Sequence, residues 1–506
     1  MLKTKTKIKK LICIFVTLMM LFFIYILKST YVVNISYNNS LFWLNFFGLF
    51  GWVTLIWSIM SWRILRGEII CIYSIFLGVF YLFTFGQSLL IIFDLVSENR
   101  DLLNGISSFQ LVEAQIFTLL CLVAFHLGAL IICKEVGKET KIYSNNKMLN
   151  SDVIGMNKDN VLMIKAIKYA GITLLLFSFP GFIYDTISTL TIVVNEGYRA
   201  LYGYDGDVRS VGLIARIFQY TSSYFLPALI CLLVVYRTKV AVRIWIVAVM
   251  IIYIINELYI GGRGGAVSLI LVIICLYHYS VKPINKKRVF TIGIFSYCLL
   301  SFLSVIAQLR GLSNRSIIDY FVAFAESFGK KNLFFDTLTE IGWTMFPLTM
   351  IMQIFPSNYE FFWGKSYFYA LTSVIPNLGL WELHPAALYA SGSTWLMDLL
   401  DLYSGPGFSL CADAFRNFGW YGFIVLLGFG LLFGRIYSSI DKFTIHTRPE
   451  ILCFVMIFAN ATMMCVRGDN LYIVRPLFYV VIPIYVLIRG IYYYLLNSRV
   501  THKMSG

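Results

Sequence analysis

Charged residues are scarce in this sequence, which has 506 residues of which only 13% are Asp, Glu, Lys or Arg. Soluble globular domains carry about 25% charged residues, so the shortage excludes a soluble multidomain protein of this length. Ten cysteines are present, but no CxxC pair and no Cys/His metal spacing occurs. Neither a disulfide framework nor a zinc site is therefore predicted. P-loop and Gly-x-Ser-x-Gly patterns are also missing.

Apolar residues are abundant instead, at 59% of the chain. Runs of roughly 20 such residues recur along the sequence, which predicts an all-α polytopic membrane protein. We expect about twelve transmembrane helices, at about 11–27, 41–62, 69–92, 111–132, 163–183, 213–235, 244–260, 266–281, 289–309, 420–437, 450–466 and 471–488. The lysine-rich start and the KPINKKR segment mark cytoplasmic ends, so both termini are predicted to be cytoplasmic. The net charge of +15 lies mostly in short loops, where topology accounts for it, and no nucleic-acid partner is expected.

One long interruption divides the chain into three parts. Residues 1–309 hold helices 1 to 9, residues 310–419 form a large external loop, and residues 420–506 hold helices 10 to 12 with the cytoplasmic C-terminus. Inside the loop, residues 316–329 predict an amphipathic helix lying on the outer leaflet or packed on the spans. Residues 345–355 are apolar but too short to cross, so we expect a re-entrant or interfacial segment.

Arginine rather than lysine predominates on the predicted outer side. Topology requires only positive charge, whereas the planar guanidinium grips phosphate with two hydrogen bonds and stays charged when desolvated. An outward arginine cluster therefore suits a lipid-linked phosphate or diphosphate; ion pairs with Asp and Glu are the alternative. Arg263, flanked by four glycines, is the strongest single candidate for an anion contact, with Glu257 as its possible ion-pair partner. For Arg475, the expected neighbour is Asp469 or Arg467.

Acidic residues and one histidine on the same side are candidate bases for deprotonating a hydroxyl group. They are Asp205, Asp207, Glu382, His384, Asp398, Asp401 and Asp413. For His384, a hydrogen bond that anchors the loop is the alternative role. Asp413 and Arg416 are three residues apart, which also fits a simple ion pair. Aromatic residues make up 17% of the chain and fit both an interfacial belt and stacking on sugar rings.

Three segments carry a family resemblance: 256–278 (NELYIGGRGGAVSLILVIICLYH), 309–316 (LRGLSNRS) and 405–422 (GPGFSLCADAFRNFGWYG). With these segments and about a dozen spans, the chain resembles the Wzy-type O-antigen and capsule repeat-unit polymerases of bacterial inner membranes. An Arg, ten residues, then Gly pattern found in external loops of some members is absent. The active arginines are therefore not mapped by that motif.

The resemblance implies a membrane glycosyltransferase with a GT-C-like architecture that needs no cofactor, metal or nucleotide. It would join undecaprenyl-diphosphate-linked oligosaccharides at the periplasmic face of the inner membrane, among membrane lipids, with a flippase and a chain-length regulator as partners. We assign the diphosphate to Arg209, Arg263, Arg310, Arg416 and Arg475. The base is sought among His384, Glu382, Asp205, Asp207 and Asp413. Sugar contacts are assigned to Arg199, Trp381 and Tyr389.

Two other functions stay open from the residues alone. A lipid-linked oligosaccharide flippase or other transporter is expected to carry charges deep in its spans, whereas here they gather at the outer span ends, which favours an enzyme. An O-antigen ligase shares the expected architecture, and composition does not separate it from a polymerase. The sugars and the linkage are not specified by the sequence.

Overall fold

The computed structural model describes residues 2–34, 40–134, 158–202, 213–312, 316–327, 332–377, 381–402 and 405–504, and the regular structure in these ranges is helical. Twelve helical stretches are long and apolar enough to cross a membrane, which confirms the prediction of an all-α polytopic membrane protein. They are Lys7–Thr30, Ser40–Arg66, Ile72–Ile91, Ser108–Ile132, Asp159–Glu196, Ile214–Val235, Val240–Ile260, Arg263–Val281, Lys287–Leu309, Leu410–Tyr437, Pro449–Arg467 and Leu471–Ser498.

The helices of the first part of the chain precede the predicted external loop. They are α1 (Leu2–Asn34), α2 (Ser40–Arg66), α3 (Ile72–Ile91), α4 (Ser108–Ile132), α5 (Lys158–Glu196), α6 (Leu213–Ser222), α7 (Phe225–Val235), α8 (Val240–Ile260), α9 (Arg263–Leu276) and α10 (Lys286–Leu309). Those of the predicted loop are mostly short. They are α11 (Ile317–Ser327), α12 (Leu333–Gly342), α13 (Phe346–Ile354), α14 (Lys365–Thr372), α15 (Pro385–Tyr389), α16 (Gly392–Leu399) and α17 (Leu410–Phe418). The remaining helices are α18 (Phe423–Tyr437), α19 (Thr444–Thr447), α20 (Pro449–Thr462), α21 (Leu471–Pro476) and α22 (Ile482–Met504).

The bundle is organised around α4, whose apolar residues from Leu111 to Leu130 are buried on all sides. Helix α18 lies directly against it because glycines face the contact. A methyl group on Gly430 would lie 2.0 Å from the carbonyl oxygen of Phe125, and one on Gly128 would lie 2.2 Å from that of Leu427. Small residues allow such close backbone approach between membrane helices, and this packing fixes α18 on α4.

Helix α12 of the predicted loop docks against α3 through a second glycine contact. A Cβ atom on Gly342 would lie 2.4 Å from the backbone nitrogen of Gln87. The Gln87 amide donates to the carbonyl oxygens of Thr339 (2.9 Å) and Arg100 (2.7 Å). These bonds fix the C-terminal turn of α12 and the loop after α3 at one place in the fold.

Two smaller predictions concern short helices. Within residues 345–355, Phe346–Ile354 form α13, which is mostly buried or half-buried and is not among the twelve candidate spans; its re-entrant or interfacial placement stays a prediction. Helix α11 exposes the apolar side chains of Ile318 (71%) and Phe321 (63%) while Tyr320 is buried. Phe324 packs on Phe302 at 5.9 Å between ring centroids, and the predicted Phe328 lies outside the described residues.

The tenth span starts before the position predicted for it. Helices α17 and α18 are joined by a single turn, Gly419–Gly422, and the candidate span runs from Leu410 to Tyr437. The predicted boundary between residues 419 and 420 therefore lies inside it. Asp413, Arg416 and Asn417 made this stretch look like a loop, but all three are buried against other parts of the chain.

Candidate functional site

Four arginines gather around one carboxylate, Glu340, at the end of α12. Arg263 donates two hydrogen bonds to it (2.7 and 2.8 Å), Arg100 lies 2.9 Å away, and Arg310 lies 3.9 Å away. Arg467 is within electrostatic range of Arg263 and Glu340. We call Arg100, Arg263, Arg310 and Arg467 the arginine cluster. Four positive charges facing one negative charge leave a strong excess for an anionic ligand.

The turn between α8 and α9 places Arg263 in the cluster. Gly261 has a φ of 108°, a left-handed conformation that favours glycine, and a side chain there would meet Tyr198 and Arg310. The prediction that Arg263 pairs with Glu257 is wrong, because Arg263 pairs with Glu340. The Glu257 carboxylate lies against Gly262 and hydrogen-bonds with Tyr253, because the missing side chain at Gly262 leaves room for it.

The electrostatics of the cluster keep Glu340 ionised. Burial favours the neutral acid, but the hydrogen bonds from Arg263 and the charges of Arg263, Arg100 and Arg310 hold the pKa of Glu340 at about 2. Burial, and then the charge of Arg263, lower the pKa of Arg310. The arginines therefore repel one another, and Glu340 offsets only part of that repulsion. A bound anion would relieve the rest.

Arg467 is an exposed member of the cluster and is open to a ligand. Its side chain is exposed, and its Nε atom would lie 4.0 Å from a Cβ added at Gly407. Within the described ranges, no hydrogen bond or ion pair engages its guanidinium. Arg310 stacks over the ring of Tyr198 at 5.0 Å, which orients its planar group. From the sequence, Arg467 was named only as a possible neighbour of Arg475.

A small pocket of about 140 Å³ opens beside Glu340. Its wall includes Arg100, Ser304, Gln308, Asp336 and Glu340. Asp336 and Glu340 are four residues apart on α12, so they share one face of the helix. Neither acid was selected from the sequence. The sequence signal that could have found them is a pair of acids one helical turn apart in a mostly apolar stretch.

A larger cavity of about 490 Å³ brings together two predicted residues, His384 and Arg475. Tyr220, Asn460 and Tyr479 also line it. Arg475 is exposed. Its expected neighbour Asp469 instead accepts hydrogen bonds from the amides of Gly392 (2.8 Å) and Leu471 (3.0 Å).

The cavity and the arginine cluster are linked by the turn after α20 and the helix that follows it. Tyr472 on α21 interacts electrostatically with both Arg467 and Arg475. Arg467 in the arginine cluster and Arg475 in the cavity therefore both lie near Tyr472. In the same turn, burial and the nearby Asp413 carboxylate raise the pKa of Asp469 to about 6.

Both ring nitrogens of His384 are engaged by the backbone. Nδ1 accepts a hydrogen bond from the amide of Ala386 (3.0 Å), which caps α15, and Nε2 lies 3.0 Å from the carbonyl oxygen of Ile375. A carbonyl only accepts, so Nε2 carries the proton and Nδ1 has no lone pair left. This arrangement favours the alternative role, in which the ring anchors the loop.

Asp413 and Arg416 form a buried ion pair of 2.9 Å, the alternative that their spacing allowed. Asp413 also accepts hydrogen bonds from Ser366 (2.9 Å) and Asn470 (2.8 Å). The guanidinium of Arg416 is enclosed by aromatic rings, those of Phe362 (4.8 Å), Phe408 (5.2 Å) and Trp395 (5.3 Å). Both side chains are fully buried, and their roles as base and diphosphate ligand stay predictions.

Three other predicted residues, Trp381, Glu382 and Tyr389, line neither cavity. Glu382 is exposed, Trp381 packs edge-on against His384, and Tyr389 packs against Tyr369. Asp205, Asp207 and Arg209 lie outside the described residues, as does the side chain of Arg199. Their roles stay predictions. Within the described ranges, no three His, Cys, Asp or Glu side chains are placed to hold a metal ion.

Comparison with known proteins adds one match. A family model described as "O-antigen polysaccharide polymerase Wzy" matches residues 9–498, nearly the whole chain. No curated protein and no solved structure matches this chain. The GT-C-like part of the fold prediction therefore stays a prediction.

Proposed function

This chain belongs to the O-antigen polysaccharide polymerase Wzy family, and we propose that it joins undecaprenyl-diphosphate-linked oligosaccharides on the outer face of the bacterial inner membrane. The family's activity is polymerisation of lipid-linked repeat units in membranes. The twelve apolar helices make the chain a multi-pass membrane protein. The carrier lipid, the membrane and the side on which chemistry occurs belong to the proposal.

The arginine cluster carries this proposal. A diphosphate brings two or more negative charges, which match the excess left after Glu340 is counted. In the proposed site, Arg467 and Arg310 hold the diphosphate of the donor. Arg263 is occupied by Glu340 and acts mainly by orienting the neighbouring arginines and adding positive charge. Guanidinium groups suit this role because they bind phosphate oxygens in pairs.

The proposed reaction transfers the growing chain from its carrier to the next repeat unit. The bond between the sugar C1 and the phosphate oxygen breaks, and the diphosphate leaves with the electron pair. A hydroxyl oxygen of the acceptor forms the new bond to C1 and loses its proton to a base. The arginines stabilise the charge that develops on the leaving group, and the sugar–diphosphate bond supplies the energy. The proposed step uses neither nucleotide nor metal.

We propose that the 490 Å³ cavity receives sugars of the repeat unit. Tyr220 and Tyr479 offer aromatic surface to the C–H faces of a sugar ring, and Asn460 and Arg475 offer polar groups. The Asn460 Oδ1 atom is buried and has no hydrogen-bond partner among the described residues. A sugar hydroxyl would supply one. A flippase that delivers the units and a chain-length regulator are the proposed partners.

The test is polymerisation by the purified full-length protein in lipid nanodiscs. Its substrates are lipid-linked repeat units extracted from a polymerase-deletion strain of the source bacterium, supplied with EDTA and without nucleotide. A ladder of longer products is expected from the unaltered protein. Arg467→Ala should remove the ladder and weaken binding of undecaprenyl diphosphate.

The matched control is Arg435→Ala, which alters an exposed arginine at the other end of the tenth span. Its product ladder should equal that of the unaltered protein. A ladder that forms equally well with Arg467→Ala would remove the cluster from the donor site. No ladder from the unaltered protein without metal would contradict the proposed metal-independent step.

A further inference from the structure

We infer that Asp336 is the catalytic base that accepts the proton of the acceptor hydroxyl. This inference rests on the proposed function of the arginine cluster as the donor diphosphate site. Asp336 lies on α12 one helical turn before Glu340, and both carboxylates line the 140 Å³ pocket. The residue that organises the arginines and the residue that would take the proton are thus held by one rigid element.

The two carboxylates differ in what surrounds them. Glu340 is 12% exposed and is occupied by Arg263 and Arg100, so its oxygens are not available to a substrate. Asp336 is partly exposed. Over the described ranges, no ion pair or side-chain hydrogen bond occupies its carboxylate. Its carboxylate is therefore free to accept a hydrogen bond from a substrate hydroxyl in the pocket.

The spacing suits transfer between a base and a leaving group. Four residues of α-helix rise about 6 Å, so Asp336 stands about that far along α12 from the residue that gathers the arginines. A base must lie within about 2.6–3.2 Å of the oxygen whose proton it takes. The acceptor oxygen and the sugar C1 then fill the space between Asp336 and the arginine-bound phosphate oxygen.

The pocket is built for one sugar unit rather than for an oligosaccharide. Its volume of about 140 Å³ is below the roughly 300–1,000 Å³ of pockets that enclose drug-sized ligands. Ser304 and Gln308 on α10 line the wall with polar groups, which suits the hydroxyl groups of a terminal sugar. The acceptor's non-reducing end is therefore the part that enters.

The proton balance of the step is complete. The acceptor O–H bond breaks and its proton moves to a carboxylate oxygen of Asp336. The acceptor oxygen forms the bond to C1, and the C1–O bond to phosphate breaks with its electron pair on the diphosphate. Release of the proton to water restores the Asp336 carboxylate.

Three other candidate bases are less suited by their surroundings. Asp413 is fully buried in its ion pair with Arg416. His384 has both nitrogens engaged by the backbone. Glu382 is exposed and lines neither cavity. Asp336 alone among these combines an open carboxylate with a position beside the arginine cluster.

The test separates binding from turnover in Asp336→Asn, which keeps the shape and removes the base. Turnover of lipid-linked repeat units should fall at least about 100-fold, as loss of a general base typically does. Binding of undecaprenyl diphosphate should stay within about threefold of the unaltered protein. In Asp336→Ala, added formate should restore part of the turnover by replacing the lost carboxylate.

Asp319→Asn is the matched control, because Asp319 is an exposed acid on the neighbouring helix α11, and its turnover should not change. Asp336→Glu keeps a carboxylate and should retain more turnover than Asp336→Asn, which serves if the latter folds poorly. Near-normal turnover with Asp336→Asn, while Arg467→Ala is inactive, would overturn the inference and leave the proposed function standing. Full activity with both variants would rule out the arginine cluster as the donor site.

Discussion

The guanidinium of Arg263 and the carboxylate of Glu340 are joined by two hydrogen bonds of 2.7 and 2.8 Å across 77 residues of sequence. The pair connects the start of α9 to the end of α12, so it ties the membrane bundle to the predicted external loop. Both side chains are about one-tenth exposed. The pair therefore sets the position of the arginine cluster.

Arg263→Lys tests the two-point contact. Lysine keeps the charge but offers a single ammonium group, so one of the two hydrogen bonds is lost, at a cost of about 1.5–3 kcal/mol. A lower melting temperature in detergent and a shorter product ladder are expected. A double-mutant cycle with Glu340→Gln should show coupling, because removing both partners costs less than the two separate changes. Additive effects would mean that the pair does not act as a unit.

The pH dependence of stability should reveal the low pKa of Glu340. A carboxylate whose folded pKa is about 2, against about 4.3 when unfolded, stabilises the fold by roughly 3 kcal/mol above the unfolded pKa. That contribution is lost as the pH falls from about 4.3 towards 2. The melting temperature of the unaltered protein should therefore exceed that of Glu340→Gln at pH 7 and approach it only near pH 2. A constant difference over this range would speak against an ionised, arginine-bound Glu340.

Arg416→Ala should lower the amount of folded protein. It leaves the buried carboxylate of Asp413 without its ion-pair partner, which typically costs about 3–5 kcal/mol, and it empties the space between three aromatic rings. Size-exclusion chromatography of the detergent-solubilised protein should show aggregation or low yield. Arg467→Ala should elute normally. A well-folded Arg416→Ala protein that fails to polymerise would instead place Arg416 in the diphosphate site, as the sequence suggested.

His384→Asn distinguishes a cap from a base. Asparagine is a favoured residue at the first position before a helix, so it can replace the hydrogen bond to Ala386, but it cannot accept a proton at neutral pH. Activity should stay within about threefold of the unaltered protein. His384→Ala removes the cap, at a cost of about 0.5–2 kcal/mol, and should lower the melting temperature. If both variants are equally inactive in the polymerisation assay, His384 takes part in the chemistry.

Gly342→Ala tests whether the packing of α12 on α3 positions the cluster. The added methyl group would lie 2.4 Å from the backbone nitrogen of Gln87, so α12 must move away and take Glu340 with it. A large loss of polymerisation is expected, together with a lower melting temperature. Gly78→Ala is the control, because a methyl group there meets nothing within 4 Å. Equal behaviour of the two variants would mean that the contact is not needed.

Much of the architecture followed from the sequence alone. Each membrane helix satisfies its own backbone hydrogen bonds, so a run of apolar residues predicts a span without knowledge of its neighbours. The twelve candidate spans and the short apolar segment at residues 345–355 were found in this way. The preference for arginine on the predicted outer side likewise pointed to an anion site, and Arg263 and Arg310 were selected from it. The family resemblance rested on local segments too.

Only the tertiary structure decided which of these residues work together. Asp413 and Arg416 share a helix face in any helix, but their burial depends on α14, α16 and the turn after α20. Glu340 reaches Arg263 only because glycines at 86 and 342 let α12 approach α3. From the sequence His384 was a candidate base, and only the fold shows its two contacts with the backbone. Hydropathy is a local property of the chain, whereas an ion pair or an open carboxylate depends on side chains that packing brings from distant positions.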